Sequence, residues 1–90
     1  MRILYDRVKR DKTFVERGLD FELAPEVFAG MTLTQPDLRF DYGEQRFTTA
    51  GWLHGRIVVL VWTPRGADRR IISMRKANDR ETKKLAEHLG

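Results

Sequence analysis

The sequence predicts an α+β domain in which N-terminal helices and a C-terminal helix pack on an antiparallel β-sheet meander. Three observations predict this class: capping residues frame short helical patterns before residue 31, strand-like patterns fill much of 32–75, and helical spacing returns after residue 78. Ninety residues suffice for one hydrophobic core, so residues 1–90 are predicted to be a single compact domain. Hydrophobic residues at 41% and charged residues at 33% are typical of a globular chain, not a disordered tail.

The first thirty residues carry the start and stop signals of two helices. Ile3–Tyr5 is a brief strand or an extended lead-in, and Asp6 is placed to cap a helix by accepting from the N–H groups of its first turn. Gly18 supplies a left-handed residue that ends this helix. Asp20 is a second N-cap, but Pro25 lacks an N–H, which predicts that the second helix begins late, near Pro25 itself.

The middle of the chain changes to strand patterns. One segment alternates along its length, and the next contains a continuous apolar run, Ile57–Trp62, which predicts a central strand covered on both faces. A tight turn at His54 and Gly55 separates the two. The predicted strands are Phe47–Leu53, Arg56–Thr63 and Arg69–Arg75, and Thr32–Thr34 is either an edge strand or part of a turn. Asn78 or Asp79 then caps the C-terminal helix.

The last strand has two distinct faces if it is regular, because neighbouring residues point to opposite sides of a sheet. Ile72 and Met74 suit the helix-covered core, which leaves Ile71, Ser73 and Arg75 on an open face. A guanidinium beside a hydroxyl on a rigid strand suits a phosphate, because arginine donates a planar fork to phosphate oxygens. The competing interpretation, an ordinary edge strand with solvated charges, is favoured on the pattern alone.

A second polar constellation, Asp41–Arg46, precedes the strand that starts at Phe47. Antiparallel neighbours bring the start of one strand near the end of another, so Glu44 or Arg46 is predicted to approach the row from Ser73 to Arg75. A carboxylate near several cations stays ionised and either accepts a proton or forms a plain salt bridge. The salt bridge is the favoured interpretation.

Composition excludes several kinds of site. The chain has no cysteine, so it has no disulfide or thiolate metal site, and His54 and His88 lack ligand spacing. No metal or cofactor is therefore expected. His54 is interpreted as a solvated turn residue, and Trp52 and Trp62 as packing residues rather than base-stacking ones. The longest apolar run is six residues, against about 20 for a membrane span, and no signal peptide is evident, so a cytoplasmic location is expected.

The net charge of +4 is unevenly distributed. Residues 1–12 carry five cations against two carboxylates, residues 13–64 carry four against seven, and residues 65–90 carry eight against four. The excess is therefore terminal, with an acidic middle. This pattern indicates a directed basic surface, which suits a polyanion, and not a uniformly basic protein.

Residues spread along nearly the whole chain carry a family resemblance. They are Asp6, Lys9, Gly18, Phe21, Ala24, Val27–Phe28, Gly43–Glu44, Arg46, Gly55, Val58–Val59, Trp62–Thr63, Arg65–Gly66 and, most specifically, Arg70–Ala77 with Glu81. In these the chain resembles the BrnT toxins, the ribonuclease halves of BrnT/BrnA type II toxin–antitoxin modules. The resemblance implies a compact RelE-like fold, metal-independent endoribonuclease activity that inhibits translation, and inhibition by a BrnA-like antitoxin with a DNA-binding domain. It also suggests a higher-order toxin–antitoxin complex.

The resemblance also suggests roles for individual side chains. Attack of the RNA 2′-hydroxyl on the adjacent phosphate needs fixed cationic donors and a base, for which the candidate catalytic residues are Arg75, Arg46, Arg65 and Glu44. The candidate RNA- or phosphate-binding residues are Lys9, Arg17, Arg70, Ser73 and Lys76.

One departure from the family supports an alternative function. The family usually has a histidine where this chain has Arg17, and arginine binds phosphate but does not shuttle protons near neutral pH. The alternative is a catalytically weak RNA- or antitoxin-binding module of the same fold. A DNA-binding regulator is less favoured, because no helix-turn-helix pattern presents a basic recognition helix.

Overall fold

The computed structural model describes all 90 residues and confirms the α+β class. The strands are β1 (Ile3–Tyr5), β2 (Thr32–Pro36), β3 (Phe47–Leu53), β4 (Arg56–Arg65) and β5 (Asp68–Lys76). The helices are α1 (Arg7–Arg17), α2 (Ala24–Ala29) and α3 (Asp79–Leu89), and a 3₁₀ turn over Phe21–Leu23 leads into α2. None of these helices combines the length and apolar composition needed to cross a membrane.

The five strands form one mixed sheet in the order β1-β5-β4-β3-β2. The predicted antiparallel meander is confirmed for β2 to β5. Of the two alternatives for Ile3–Tyr5, the structure has the strand: β1 pairs in parallel with β5, with Ile3 opposite Arg69 and Tyr5 opposite Ile71, which makes the sheet mixed. Three apolar residues at one end of a chain carry no local signal of such a distant partner, since the pairing depends on how the whole domain packs.

The helix ends follow the predicted caps. The Asp6 carboxylate accepts from the Val8 N–H at 2.9 Å, and Gly18 ends α1 in the left-handed region with a φ of 68°. Asp20 accepts from the N–H of Glu22 at the 3₁₀ turn, and Pro25 lies in the first turn of α2, where a missing N–H costs no hydrogen bond. All four predictions are confirmed.

Both faces of the sheet are covered, which makes β4 the central strand that its apolar run predicts. The larger core cluster lies on the α2 side, where Phe21 and Val27 pack with Leu60 and other strand residues. A smaller cluster on the opposite side includes Leu89 of α3. The segment 37–46, which joins β2 and β3, contacts this second side where Thr63 donates its hydroxyl hydrogen to the carbonyl of Gln45 at 2.7 Å.

A bulge in β5 corrects the predicted faces of that strand. Ser73 lies opposite Val61, but Ile71 lies opposite Trp62, so Ile72 is an extra residue with no direct partner. Ile71 therefore points into the same core as Met74, three residues later, and the two are 2% and 0% exposed. The expectation that Ile72, rather than Ile71, shares the core with Met74 was wrong because it assumed unbroken alternation.

Candidate functional site

Glu44 lies between two guanidinium groups. Arg46 donates from Nε to one carboxylate oxygen at 3.0 Å, and Arg65 donates from Nη2 to the other at 3.1 Å. The bond from Arg46, followed by that from Arg65, holds the pKa of Glu44 below its ordinary value. The carboxylate is therefore ionised at neutral pH, with cations on both of its oxygens. The predicted salt bridge is confirmed.

The segment 37–46 is held in place by side chains rather than by secondary structure. Asp37 is buried and accepts two hydrogen bonds from the Arg39 guanidinium at 2.9 Å each, as well as one from the Tyr42 hydroxyl at 3.2 Å. These bonds, Arg39 first, lower the pKa of Asp37 to about 2. The Tyr42 ring in turn carries the Arg46 guanidinium, whose central carbon lies 4.1 Å from the ring centroid. This network orients Arg46 from behind.

A cavity of about 330 Å³ opens beside this cluster. Tyr42, Ile71 and Ile72 line it together with six charged residues. These are the cations Lys9, Arg46, Arg65 and Arg70 and the anions Asp6 and Glu44. The cavity therefore joins the segment 37–46, the ends of β4 and β5, and the first turn of α1. Such a concentration of fixed cations favours an anionic ligand.

A second cavity of about 400 Å³ continues along α1 and the free edge of β5. Lys9 and Ile72 line both cavities, and Arg17 and Ser73 line the second. The edge is free because β1 pairs only as far as Ile71. Arg17 donates to the carbonyl oxygen of Met74 on this edge at 2.9 Å, so one guanidinium nitrogen already has a backbone partner.

Arg75 and Lys76 do not line either of these cavities. The Arg75 guanidinium donates two hydrogen bonds to Glu81, at 2.7 and 2.8 Å, in a bidentate pair at the start of α3. It borders a different groove on the α3 side of the sheet, alongside Asp37 and Arg39. Lys76 lines a pocket near His54. Glu44 and Arg46 were predicted to approach the Ser73–Arg75 part of β5, but they lie near Arg70 instead. Because β4 lies between β3 and β5 and is antiparallel to both, the start of β3 lies near the start of β5 and not near its end.

Glu81 provides a prediction about acid stability. Its carboxylate binds Arg75 and accepts from the Asn78 N–H at 3.0 Å, and these bonds lower its pKa to about 2 from an ordinary value of 4.5. A depressed pKa stabilises the fold fully above the ordinary value, and this contribution is lost as the pH falls from 4.5 towards 2. Because Arg75 is exposed, we expect Glu81→Gln to lower the free energy of unfolding by only about 1 kcal/mol at pH 7.

The measurement is denaturant unfolding of both proteins at pH 7 and at the acid end of this range. The difference between them is expected to shrink in acid, because the wild-type carboxylate is then increasingly protonated. Glu87→Gln is the matched control, since Glu87 lies exposed on the same helix without an ion pair, and it should leave stability unchanged at both pH values. If Glu81→Gln lowered the free energy of unfolding equally at both pH values, the stabilisation would not come from the ionised Glu81 carboxylate.

Trp62 and His54 have the structural roles predicted for them, whereas the packing role predicted for Trp52 is not confirmed, because this residue belongs to neither core cluster. Trp62 is buried and donates from its ring N–H to the Thr49 hydroxyl at 2.8 Å, which confirms it as a packing residue. His54 is exposed in the turn after β3, 3.4 Å from Glu26. Trp52 is 36% exposed on β3, and like His54 it lies outside the cavity that contains Glu44.

Tyr42 is the member of the site that sequence reasoning missed as a functional residue. It lies within the constellation Asp41–Arg46, but its role depends on two contacts, one to buried Asp37 and one to Arg46. The available signal was an aromatic residue four positions before an arginine in a segment rich in turn residues. That signal is weak, because the stacking depends on the conformation of the whole segment.

The arrangement can bind an anion and accept a proton beside it. Arg46 and Arg65 present guanidinium nitrogens at the cavity, and Glu44 supplies an ionised carboxylate between them. Fixed cations stabilise negative charge that develops on a phosphate, and an adjacent carboxylate accepts a proton from a hydroxyl nucleophile. The same geometry serves as a simple phosphate-binding site when no proton is transferred.

Comparison with known proteins reveals similarity to one family. A family model described as "Ribonuclease toxin, BrnT, of type II toxin-antitoxin system" matches residues 5–81. No curated protein sequence matches the chain. The matched range begins at Tyr5, the last residue of β1, and includes every residue that lines the two cavities; it ends at Glu81, within the first turn of α3.

Proposed function

The chain belongs to the BrnT family of ribonuclease toxins from type II toxin–antitoxin systems, and from this premise we propose that it cleaves RNA at the cavity containing Glu44, without a metal ion. Membership implies an RNA target and an antitoxin partner. The observation that carries the location of the site is the ionised Glu44 carboxylate between Arg46 and Arg65, at a cavity lined by two further cations.

The proposed reaction is an internal transfer at phosphorus. The 2′-oxygen of the ribose forms a bond to the adjacent phosphorus, Glu44 takes the proton of the 2′-hydroxyl, and the bond from phosphorus to the 5′-oxygen breaks. Lys9, at the rim of the cavity, supplies the proton to the leaving oxygen. The products are a 2′,3′-cyclic phosphate and a 5′-hydroxyl, and water exchanges protons with both side chains afterwards.

The guanidinium groups stabilise the charge that develops on the phosphate oxygens. Arg46 is the better oriented of the two, because Tyr42 supports it from behind and Glu44 holds its Nε. Arg65 faces the same carboxylate from β4. Arg75 borders the separate groove on the α3 side, where it is paired with Glu81, so its proposed catalytic role requires the RNA to reach that groove and to displace or share this contact.

Longer RNA follows the basic surface that continues from this cavity. Arg70 lines the first cavity, while Lys9 lies where the two cavities meet and Arg17 and Ser73 border the second. We assign Arg70, Arg17 and Ser73 to phosphates that flank the cleaved bond, and Lys9 to the leaving oxygen of that bond. Lys76 lies near His54, outside both cavities, and serves only a more distant phosphate.

We extend the proposal to the fold family and the partner. The RelE-like classification, a BrnA-like antitoxin with a DNA-binding domain, a higher-order complex and inhibition of translation are all proposed on the strength of family membership. Co-expression with the neighbouring antitoxin, followed by light scattering of the purified complex, measures the stoichiometry directly. A complex larger than one toxin with one antitoxin is the expected result.

The experiment that tests the activity compares RNA with a modified substrate. Purified protein is incubated with a single-stranded RNA in excess EDTA, and in parallel with an oligonucleotide carrying a 2′-deoxy residue at each cleaved position. We expect cleavage of the RNA to a cyclic phosphate product and no cleavage of the 2′-deoxy oligonucleotide, which lacks the nucleophile. Loss of activity in EDTA would contradict the metal-independent reaction.

The same experiment separates the alternative function. Neither histidine lines the cavity, and the lowered pKa makes Glu44 a weak base, so the geometry also suits a module that binds RNA or antitoxin. Binding of both oligonucleotides with no cleavage of either would favour this alternative. Growth arrest on expression without antitoxin, together with a cyclic phosphate product, would exclude it.

A further inference from the structure

The segment 37–46 presents a large apolar ring to solvent. The Phe40 side chain is 71% exposed, although the segment around it is fixed by the bonds of Asp37 to Arg39 and Tyr42. Phe40 belongs to neither hydrophobic core, so core packing does not explain why a fixed segment holds this aromatic ring in solvent. Such a surface suits a ligand with a flat apolar face.

The ring adjoins the proposed cleavage cavity. The centroids of Phe40 and Tyr42 are 5.8 Å apart with an interplanar angle of 74°, so the two rings meet edge to face. Tyr42 lines the cavity and carries the Arg46 guanidinium on its ring. One aromatic residue therefore separates Phe40 from the arginine proposed to bind the reacting phosphate.

We propose that Phe40, supported by Tyr42, is a stacking platform for a nucleobase next to the cleaved bond of single-stranded RNA. The proposal rests on the proposed function for its location of the phosphate. Every base has a π-face, so stacking on an exposed aromatic ring holds a base without requiring a particular sequence. A phosphate bound at Arg46 and a base stacked on Phe40 would fix both ends of one nucleotide.

The competing occupant is the antitoxin. Leu38 is 85% exposed on the same segment, so Leu38 and Phe40 together offer a small apolar surface for a protein. Continuity favours the nucleobase: Phe40 packs against a ring that lines the cationic cavity, whereas Leu38 borders the separate groove near Arg75. The two residues therefore make a matched pair for the test.

The test measures binding of a non-cleavable 2′-O-methyl RNA by the wild-type chain, Phe40→Ala and Leu38→Ala. Stacking predicts that Phe40→Ala weakens binding about tenfold to a hundredfold, the range that removal of one base–aromatic contact produces. Leu38→Ala should bind as the wild type does, and Phe40→Trp should restore the affinity. An abasic oligonucleotide should bind Phe40→Ala and the wild type equally, because no base is then available to stack.

Failure of this inference differs from failure of the proposed function. Because the RNA is not cleaved, binding reports on stacking even if the catalytic roles are wrong. Equal affinity of Phe40→Ala and the wild type for the 2′-O-methyl RNA would overturn the platform, as would an absence of RNA binding by the wild type. So would unchanged RNA binding with weaker antitoxin binding in both alanine variants, which would identify the surface as a protein-docking site.

Discussion

Replacing Arg46 and Arg65 together by alanine is expected to reduce the rate of RNA cleavage by at least about a hundredfold. Arg46 and Arg65 line the cavity, and both donate a hydrogen bond to Glu44. They are therefore the donors best placed to stabilise charge on a phosphate held there. Removing both also leaves Glu44 without its two cationic partners, so its pKa is expected to rise towards the ordinary carboxyl value. The measurement is single-turnover cleavage at saturating protein, which separates the chemical step from binding.

The matched control is Arg56→Ala with Arg80→Ala. Both residues are exposed, neither forms an ion pair, and the double variant loses the same net charge. The nonspecific attraction between a basic protein and RNA depends on net charge. Because both double variants lose the same charge, any difference between their cleavage rates does not come from this attraction. Equal losses in the two double variants would show that the rate follows net charge, and the cavity would lose its assigned role.

Local signals predicted the helix ends and the central strand, because each depends on neighbouring residues. Asp6 caps α1 and Gly18 ends it through contacts within one turn, and Asn78 forms a reciprocal capping box with Glu81. The bulge at Ile72 left no such signal. Ile71 and Ile72 are the same residue type, so hydrophobic pattern alone does not show which one enters the core.

The candidate site was predicted in its composition but not in its grouping. The constellation Asp41–Arg46 was identified from its charges, and the structure places Glu44 between Arg46 and Arg65. The sequence did not predict that Arg75 pairs with Glu81. Glu81 is six residues away and reaches Arg75 only because α3 begins directly after β5, which is a consequence of packing rather than of sequence spacing.

Glu44→Gln is expected to lower the rate of cleavage by a factor of about 100 to 10,000, the usual contribution of a general base. Glutamine keeps the shape of the side chain and still offers an oxygen to one guanidinium, but it takes no proton near neutral pH. A base works when it is ionised, and the pKa of Glu44 lies below the ordinary value of 4.5. The fall in wild-type kcat/KM that protonation of this group causes is therefore expected to have its midpoint below pH 4.5.

The same variant separates a base from an anchor by its effect on binding. Removing the charge of Glu44 leaves four cations facing one carboxylate in the cavity, so RNA is expected to bind Glu44→Gln more tightly than the wild type. A base therefore predicts opposite changes: tighter binding of 2′-O-methyl RNA and much slower cleavage of ordinary RNA. If Glu44 only positions Arg46 and Arg65, the glutamine leaves at least one guanidinium without its partner oxygen, and binding and cleavage weaken together. Tighter binding with an unchanged rate would remove Glu44 from both roles, because the cavity would then work with Arg46 and Arg65 alone.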